Sequence, residues 1–279
     1  MALSFYPGCS LEGMANDYAR SITAVFEDLG IDLVEIDDWS CCGSTAAHSL
    51  DETMSVALPA RNLAAAGEMG LDIVSPCAMC FNRLRYAQLM LKRGSFDIPW
   101  QVDTGLAVHD MTRFLAAPDM LAQIRKRVVR PLANLKTVCY YGCQMVRPPS
   151  ITGHTDFENP QTLDAIMGAV GAQVKDWSYK STCCGASIGI GRREIRDTLT
   201  NRILDKAAHT GAEAIVVSCP LCQANLDTVP RRPGAGRLPV FYFTELMRLA
   251  FRPAAEAGWF RAHLTNPLPL LNTKGLVAA

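Results

Sequence analysis

No stretch of this sequence reaches the run of about eighteen apolar residues that a membrane-spanning helix needs. Neither sign of charge is in excess: Lys plus Arg and Asp plus Glu number 27 each, so no overall field draws the chain to nucleic acid or to an anionic surface. The opening residues, MALSFYPGCS, carry no basic segment leading into an apolar stretch. A soluble cytoplasmic protein with no membrane span and no nucleic-acid partner is therefore expected. Histidine is scarce, and His48, His109, His154, His209 and His263 form no spaced pair that would complete a zinc site. A ferredoxin run of closely spaced cysteines ending in Cys-Pro is missing, and so is any flavin fingerprint. GIGRRE at 189–194 lacks the preceding strand and the spacing of a glycine-rich nucleotide loop.

Cysteine, by contrast, is plentiful. Eleven thiols exceed the usage of an ordinary cytosolic enzyme, and 279 residues need no disulfide framework to fold. The odd number rules out complete pairing within the chain, and metal binding becomes the leading account.

The cysteines fall into two series of the same order. The first is Cys9, Cys41, Cys42, Cys77 and Cys80; the second is Cys143, Cys183, Cys184, Cys219 and Cys222. In each, a Cys-Cys-Gly is followed 34 residues later by a Cys-x-x-Cys. Flanking residues repeat too, YPGCS against YYGCQ and IVSPCAMC against VVSCPLC. Such self-similarity is the mark of an internal duplication. The interval before the Cys-Cys pair differs, 31 residues in the first copy and 39 in the second. The surplus falls near RPPSITGHTDFENP (147–160), whose Pro, Gly, Asn and Asp predict an ordered loop rather than helix or strand.

Short β-rich runs precede the first cysteine of each copy (3–6 and 136–141) and each Cys-x-x-Cys (71–74 and 214–217), with helical patterns over 13–29, 45–69, 79–92, 161–170 and 193–210. This alternation predicts an α/β fold of two tandem parallel-sheet units, with cysteines just after strand ends. The expected organisation is a first unit over 1–93, a helical linking segment over 94–135, a second unit over 136–252, and a tail over 253–279. RRPGAGRLP at 231–239 reads as a turn-rich break.

Thiolates suit zinc or iron–sulfur centres. Structural zinc takes four ligands, usually as two Cys-x-x-Cys pairs or with histidine. Five widely spaced thiolates per copy argue for iron–sulfur without naming the cluster. With YPGCS, CCGS, GCQMVRPP, FENPQTLD and CCGA, the sequence resembles the B subunit of heterodisulfide reductase and its bacterial sulfur-oxidising relatives, a CCG-domain family, over nearly its whole length. The resemblance implies two noncubane 4Fe–4S clusters, one on Cys9, Cys41, Cys42, Cys77 and Cys80 and the other on Cys143, Cys183, Cys184, Cys219 and Cys222. It also implies disulfide, thiol or protein-bound sulfur chemistry at the clusters, with a ferredoxin-like C subunit and a flavin-bearing A subunit as partners. Gln144 stands where many relatives are expected to have histidine, which removes a proton donor beside the second set. Related CCG chains serve glycolate and lactate oxidases and some succinate dehydrogenase anchors, so an electron-transfer role is the alternative.

Cys139 lies outside both series and reads as a buried packing thiol. Arg147 either positions an anionic group or is structural. His154 reads as a surface loop residue of a type suited to proton delivery. Trp39 and Trp177 either shield clusters or pack in the core. The glycine after each Cys pair is expected to turn the backbone tightly and close to the cluster.

Overall fold

A computed structural model describes all residues except 45, 95, 232–234, 254–256 and 278–279, so the middle of the 231–239 break lies outside the described residues. The strands are β1 (Ala2–Phe5), β2 (Asp32–Glu35), β3 (Ile73–Ser75), β4 (Val108–Asp110), β5 (Lys136–Tyr140), β6 (Gln173–Val174), β7 (Ala214–Val217) and β8 (Val240–Tyr242). They form two parallel four-stranded sheets of identical order, β2-β1-β3-β4 and β6-β5-β7-β8. The α/β duplication expected from the cysteine series is thus present in the backbone.

The central strands explain themselves. IVS of β3 and AIVV of β7 are buried throughout, because helices cover both faces of a parallel sheet. The edge strand β2, DLVE, is largely exposed and two residues of it are acidic, so it gave no strand signal. β4 lies within the segment expected to link the two units by helices alone; helices Met111–Leu115 and Pro118–Arg127 follow it, so that expectation is corrected in part. The 147–160 segment contains one helical turn, Pro149–Thr152, where only loop was expected.

Helix boundaries follow local chemistry. Helix Glu52–Met69 starts where the Asp51 carboxylate accepts the Met54 N–H at 2.6 Å. Helix Asn16–Leu29 buries Tyr18, Ile22, Val25, Phe26 and Leu29 along one stripe and stops at Gly30, whose φ of 70° is the left-handed value that glycine adopts freely.

The two units interlock. Helix Phe243–Phe251, at the end of the second, lies on helix Asn16–Leu29 of the first, joined by a buried Ser21–Thr244 hydroxyl contact of 2.6 Å and an Arg252–Asp28 ion pair. The rings of Tyr18 and Tyr242 stack there, centroids 4.0 Å apart. In return, Asn82 of helix Ala78–Lys92 donates to the carbonyls of Gln144 (3.1 Å) and Arg147 (2.9 Å). Residues 257–277 are no loose tail: Phe260, His263, Leu271, Leu276 and Val277 are buried.

Candidate metal centres

In each sheet the chain leaves the first central strand to one side and returns on the other, so β1/β3 and β5/β7 are topological switch points, where open α/β sheets place their ligands. Cys9 and Cys143 follow β1 and β5. Cys77 and Cys219 follow β3 and β7 and cap the helices Ala78–Lys92 and Pro220–Thr228. Helix N-termini favour thiolates.

All ten cysteines of the two series are brought together, in a line of paired sulfurs. Cys9 lies 4.0 Å from Cys41, Cys42 lies 3.5 Å from Cys80, and Cys184 lies 3.7 Å from Cys222. Cys143 and Cys183 are neighbours, and so are the buried Cys77 and Cys219, where the two halves meet. Cys9, Cys41 and Cys183 are exposed. Along the line Cys42, Cys77, Cys80, Cys184, Cys219 and Cys222 are buried and form a waist.

Adjacent thiols share protons along it. The Cys219 and Cys80 thiols, then the backbone N–H groups of Cys80 and Met79, hold Cys77 well below the ordinary thiol range against the effect of burial. Cys143 brings Cys183 down to about 6, and Cys222 lowers Cys184. Cys80 and Cys222 are pushed up by Cys42 and Cys184. A cationic metal centre would collect these sulfurs as thiolates and release their protons.

The donor set fits clusters better than single ions. Among the described residues the only group of three or more His, Cys, Asp or Glu whose ligand atoms all lie within 4.8 Å of one another contains no cysteine. The sulfurs are thus strung out in pairs rather than gathered into the closed tetrahedron of structural zinc. Backbone N–H groups of Gly43 and Gly185 point at Cys41 Sγ (3.4 Å) and Cys183 Sγ (3.3 Å), and Asn225 reaches Cys184 Sγ at 3.6 Å.

Several positioning residues are not singled out by the sequence motifs. A Cβ at Gly8 would sit 2.7 Å from Cys80 Sγ, and one at Gly142 2.8 Å from Cys222 Sγ. The glycines after the Cys pairs do turn tightly, at φ 70° and 81°, but a Cβ there would meet Leu58 and Ala47, or the Arg196 backbone, rather than a sulfur. Tyr6 and Tyr140 donate to the carbonyls of Ser40 (2.7 Å) and Thr182 (2.5 Å), fixing the loops that carry the Cys pairs. Burial, and then the neighbouring sulfurs, push both phenols far up, so they remain donors. Tyr and Gly stand three and one residues before the first cysteine of each copy, so the repeat itself carried their signal.

The remaining candidates separate. Trp39 packs edge-on against Tyr6, and Trp177 donates to the Cys139 carbonyl at 2.8 Å beside Tyr140, so both support the tyrosines. Cys139 is buried inside β5, its thiol pushed up by burial and then by Asp164. Arg147 is engaged by Glu158 at 2.7 Å and by Ser181. His154 is buried, not on the surface, and meets Asp110 Oδ2 at 3.0 Å. Gln144 lines a recess at the second site with Cys143, Cys183, Ala78, Met79 and Leu221; its free space, about 20 Å³, has room for about one water molecule.

Comparison with known proteins agrees with this architecture. The sequence profile of the cysteine-rich domain (CCG) matches residues 3–85 and 137–227. The 8-methylmenaquinol:fumarate reductase membrane anchor subunit of Wolinella succinogenes is 34% identical, over 91% of this chain and 94% of that protein. The B subunit of the ferredoxin/F(420)H(2)-dependent CoB-CoM heterodisulfide reductase of Methanosarcina acetivorans is 25% identical over 89% of this chain and 88% of its own length. Lactate utilization protein A 2 of Bacillus cereus is 23% identical over 83% of this chain and 92% of its own length. Among solved structures, a hypothetical protein from Helicobacter pylori shares the fold, with TM-score 0.64 at 8% identity over 90% of this chain and 49% of that one.

Proposed function

The chain belongs to the cysteine-rich CCG-domain family, and from that membership we propose that it carries electrons through two noncubane 4Fe–4S clusters, as the iron–sulfur subunit of a multi-subunit oxidoreductase. The line of paired sulfurs from exposed Cys9 and Cys41, through buried Cys77 and Cys219, to exposed Cys183 carries this reading. The first five cysteines would hold one cluster and the second five the other. Bound there, each cluster supplies one-electron redox chemistry tuned by its environment. The protein's share is to bring the thiolates together, to direct the Gly43, Gly185 and Asn225 N–H groups at sulfur, and to keep water from the waist.

The recess at the second site supports electron transfer over bond cleavage. Besides five cysteines it is lined by Ala78, Met79, Ala186 and Leu221, with Tyr141, Gln144 and Ser187 as its other polar groups, and no Lys, Arg or His stands among them to hold an anionic thiol. The relative named for a fumarate reductase points the same way. Sulfur chemistry is the second reading, favoured by two complete ligand sets and by the heterodisulfide reductase relatives. A flavin-bearing subunit and a ferredoxin-like subunit are the partners proposed for either.

Anaerobically purified protein is expected to be brown and to hold about eight irons under thiolate ligation. Stoichiometric zinc without iron would sink the proposal. Dithionite-reduced protein mixed with a soluble menaquinone analogue or with a disulfide then separates the two readings by stopped-flow absorbance. Reoxidation by the quinone, directly or through the partner subunits, with the disulfide inert, is expected. Rapid reoxidation by the disulfide would favour sulfur chemistry. Cys139→Ser should leave iron content unchanged, since the thiol touches neither site; loss of a cluster in that variant would show the ligand sets to be wrong.

Among the described residues no helix is long and apolar enough to cross a membrane. Ile188, Ile190 and Ile195, which follow Cys183 in the chain, nevertheless stand exposed, next in sequence to the solvated Arg192 and Arg193. Apolar tips beside arginines suit the interface of an anionic bilayer. We expect Ile190→Glu to reduce co-sedimentation with phosphatidylglycerol vesicles; equal sedimentation of both proteins would remove the membrane from this face.

A further inference from the structure

A second polar centre lies away from the cysteines. Asp17, in the first turn of helix Asn16–Leu29, Glu245, in the first turn of helix Phe243–Phe251, and His263, in the C-terminal segment, converge so that their ligand atoms all lie within 4.8 Å of one another. The side chains of Glu245 and His263 are 1% and 0% exposed, whereas Asp17 is half-buried and gives a path to solvent. His263 Nε2 stands 2.8 Å from Glu245 Oε1, and its Nδ1 is buried without a partner.

The charges here do not cancel. Among the described residues neither Asp17 nor Glu245 has a Lys or Arg partner in an ion pair. Asp227 also faces His263, with its oxygens already accepting the N–H groups of Leu264 (2.8 Å) and Thr265 (2.9 Å). Three carboxylates thus surround one imidazole, and burying uncompensated charge is costly. A proton on His263 offsets one of them; a dication would offset two.

We propose that Asp17, Glu245 and His263 bind a divalent transition-metal ion of the zinc class, clamping the first unit, the second unit and the C-terminal segment together behind the Tyr18–Tyr242 stack. Two carboxylates and one imidazole are hard-to-borderline donors that suit zinc, manganese or ferrous iron, with water at the fourth position on the Asp17 side. The donor set is chemically distinct from the cysteine lines and needs neither cluster. Its residues are remote in the chain, so no spacing motif announces it.

The test is equilibrium dialysis of the iron-loaded protein against Zn²⁺, with zinc and iron counted by mass spectrometry. Wild type is expected to take up about one zinc with its iron unchanged, and His263→Ala and Glu245→Gln to bind tenfold or more weakly, also with iron unchanged. Asp17→Asn, at a half-exposed position, repeats the comparison with little risk to folding. The Tm of wild type should rise with added Zn²⁺ and that of the variants should not. Absence of uptake by iron-replete wild type, uptake equal in all variants, or zinc gained only as iron is lost would each overturn the proposal. In the first case the occupant is a proton.

Discussion

Cys42→Ala or Cys184→Ala should each remove about four of about eight irons and leave the other half's cluster in place. Both cysteines are buried and sit in the middle of their half of the sulfur line, Cys42 against Cys80 and Cys184 against Cys222. Each half also has its own sheet and its own switch point, so the intact site keeps its framework. Electron transfer between the partner subunits should fall to background in both variants, because transport through two clusters in series needs both of them. Iron analysis, absorbance and partner-coupled turnover check this, with circular dichroism and Tm confirming the fold, since loss of a metal site also costs stability. Iron lost from both halves would show that the Cys77–Cys219 contact makes the two sites one cooperative unit. Substantial turnover by a variant lacking one cluster would exclude transport in series.

Gly8→Ala should abolish the first cluster, and Gly142→Ala the second. Gly8 has φ 72° and ψ 160°, a region essentially closed to other residues, and the strain there is about 1–3 kcal/mol. The decisive term is steric: a new Cβ 2.7 Å from Cys80 Sγ cannot be accommodated unless a sulfur of the site or the strand end that carries Cys9 moves. Gly30→Ala is the control. It shares the positive φ, 70°, but no atom lies within 4 Å of its added Cβ, so it should cost about 1 kcal/mol and keep all the iron. Full iron in Gly8→Ala would show that the sulfur there is free to move and that the glycine serves only the turn.

What is legible in the chain divides along physical lines. The buried central strands and long amphipathic helices announce themselves by composition and period, as AIVV and the Tyr18–Leu29 stripe illustrate. The edge strands do not, because DLVE of β2 is mostly exposed and β6 has only two residues, so neither needs an apolar pattern. A Pro- and Gly-rich loop predicts a surface position for His154; the buried carboxylate of Asp110, from the preceding unit, is what draws it inside.

The sequence by itself determined the duplication, the α/β class and the two sets of five thiols, because these depend on order and spacing along one chain. Only the tertiary structure decided which thiols meet. Cys77 and Cys219 belong to different copies, and their contact depends on how the two units interlock through Asn82 and the Ser21–Thr244 pair. The same packing brings Asp17 beside Glu245 and draws the C-terminal segment onto them, where His263 completes the group. Contacts between residues remote in the chain are fixed by the mutual burial of whole helices, and no local pattern encodes them.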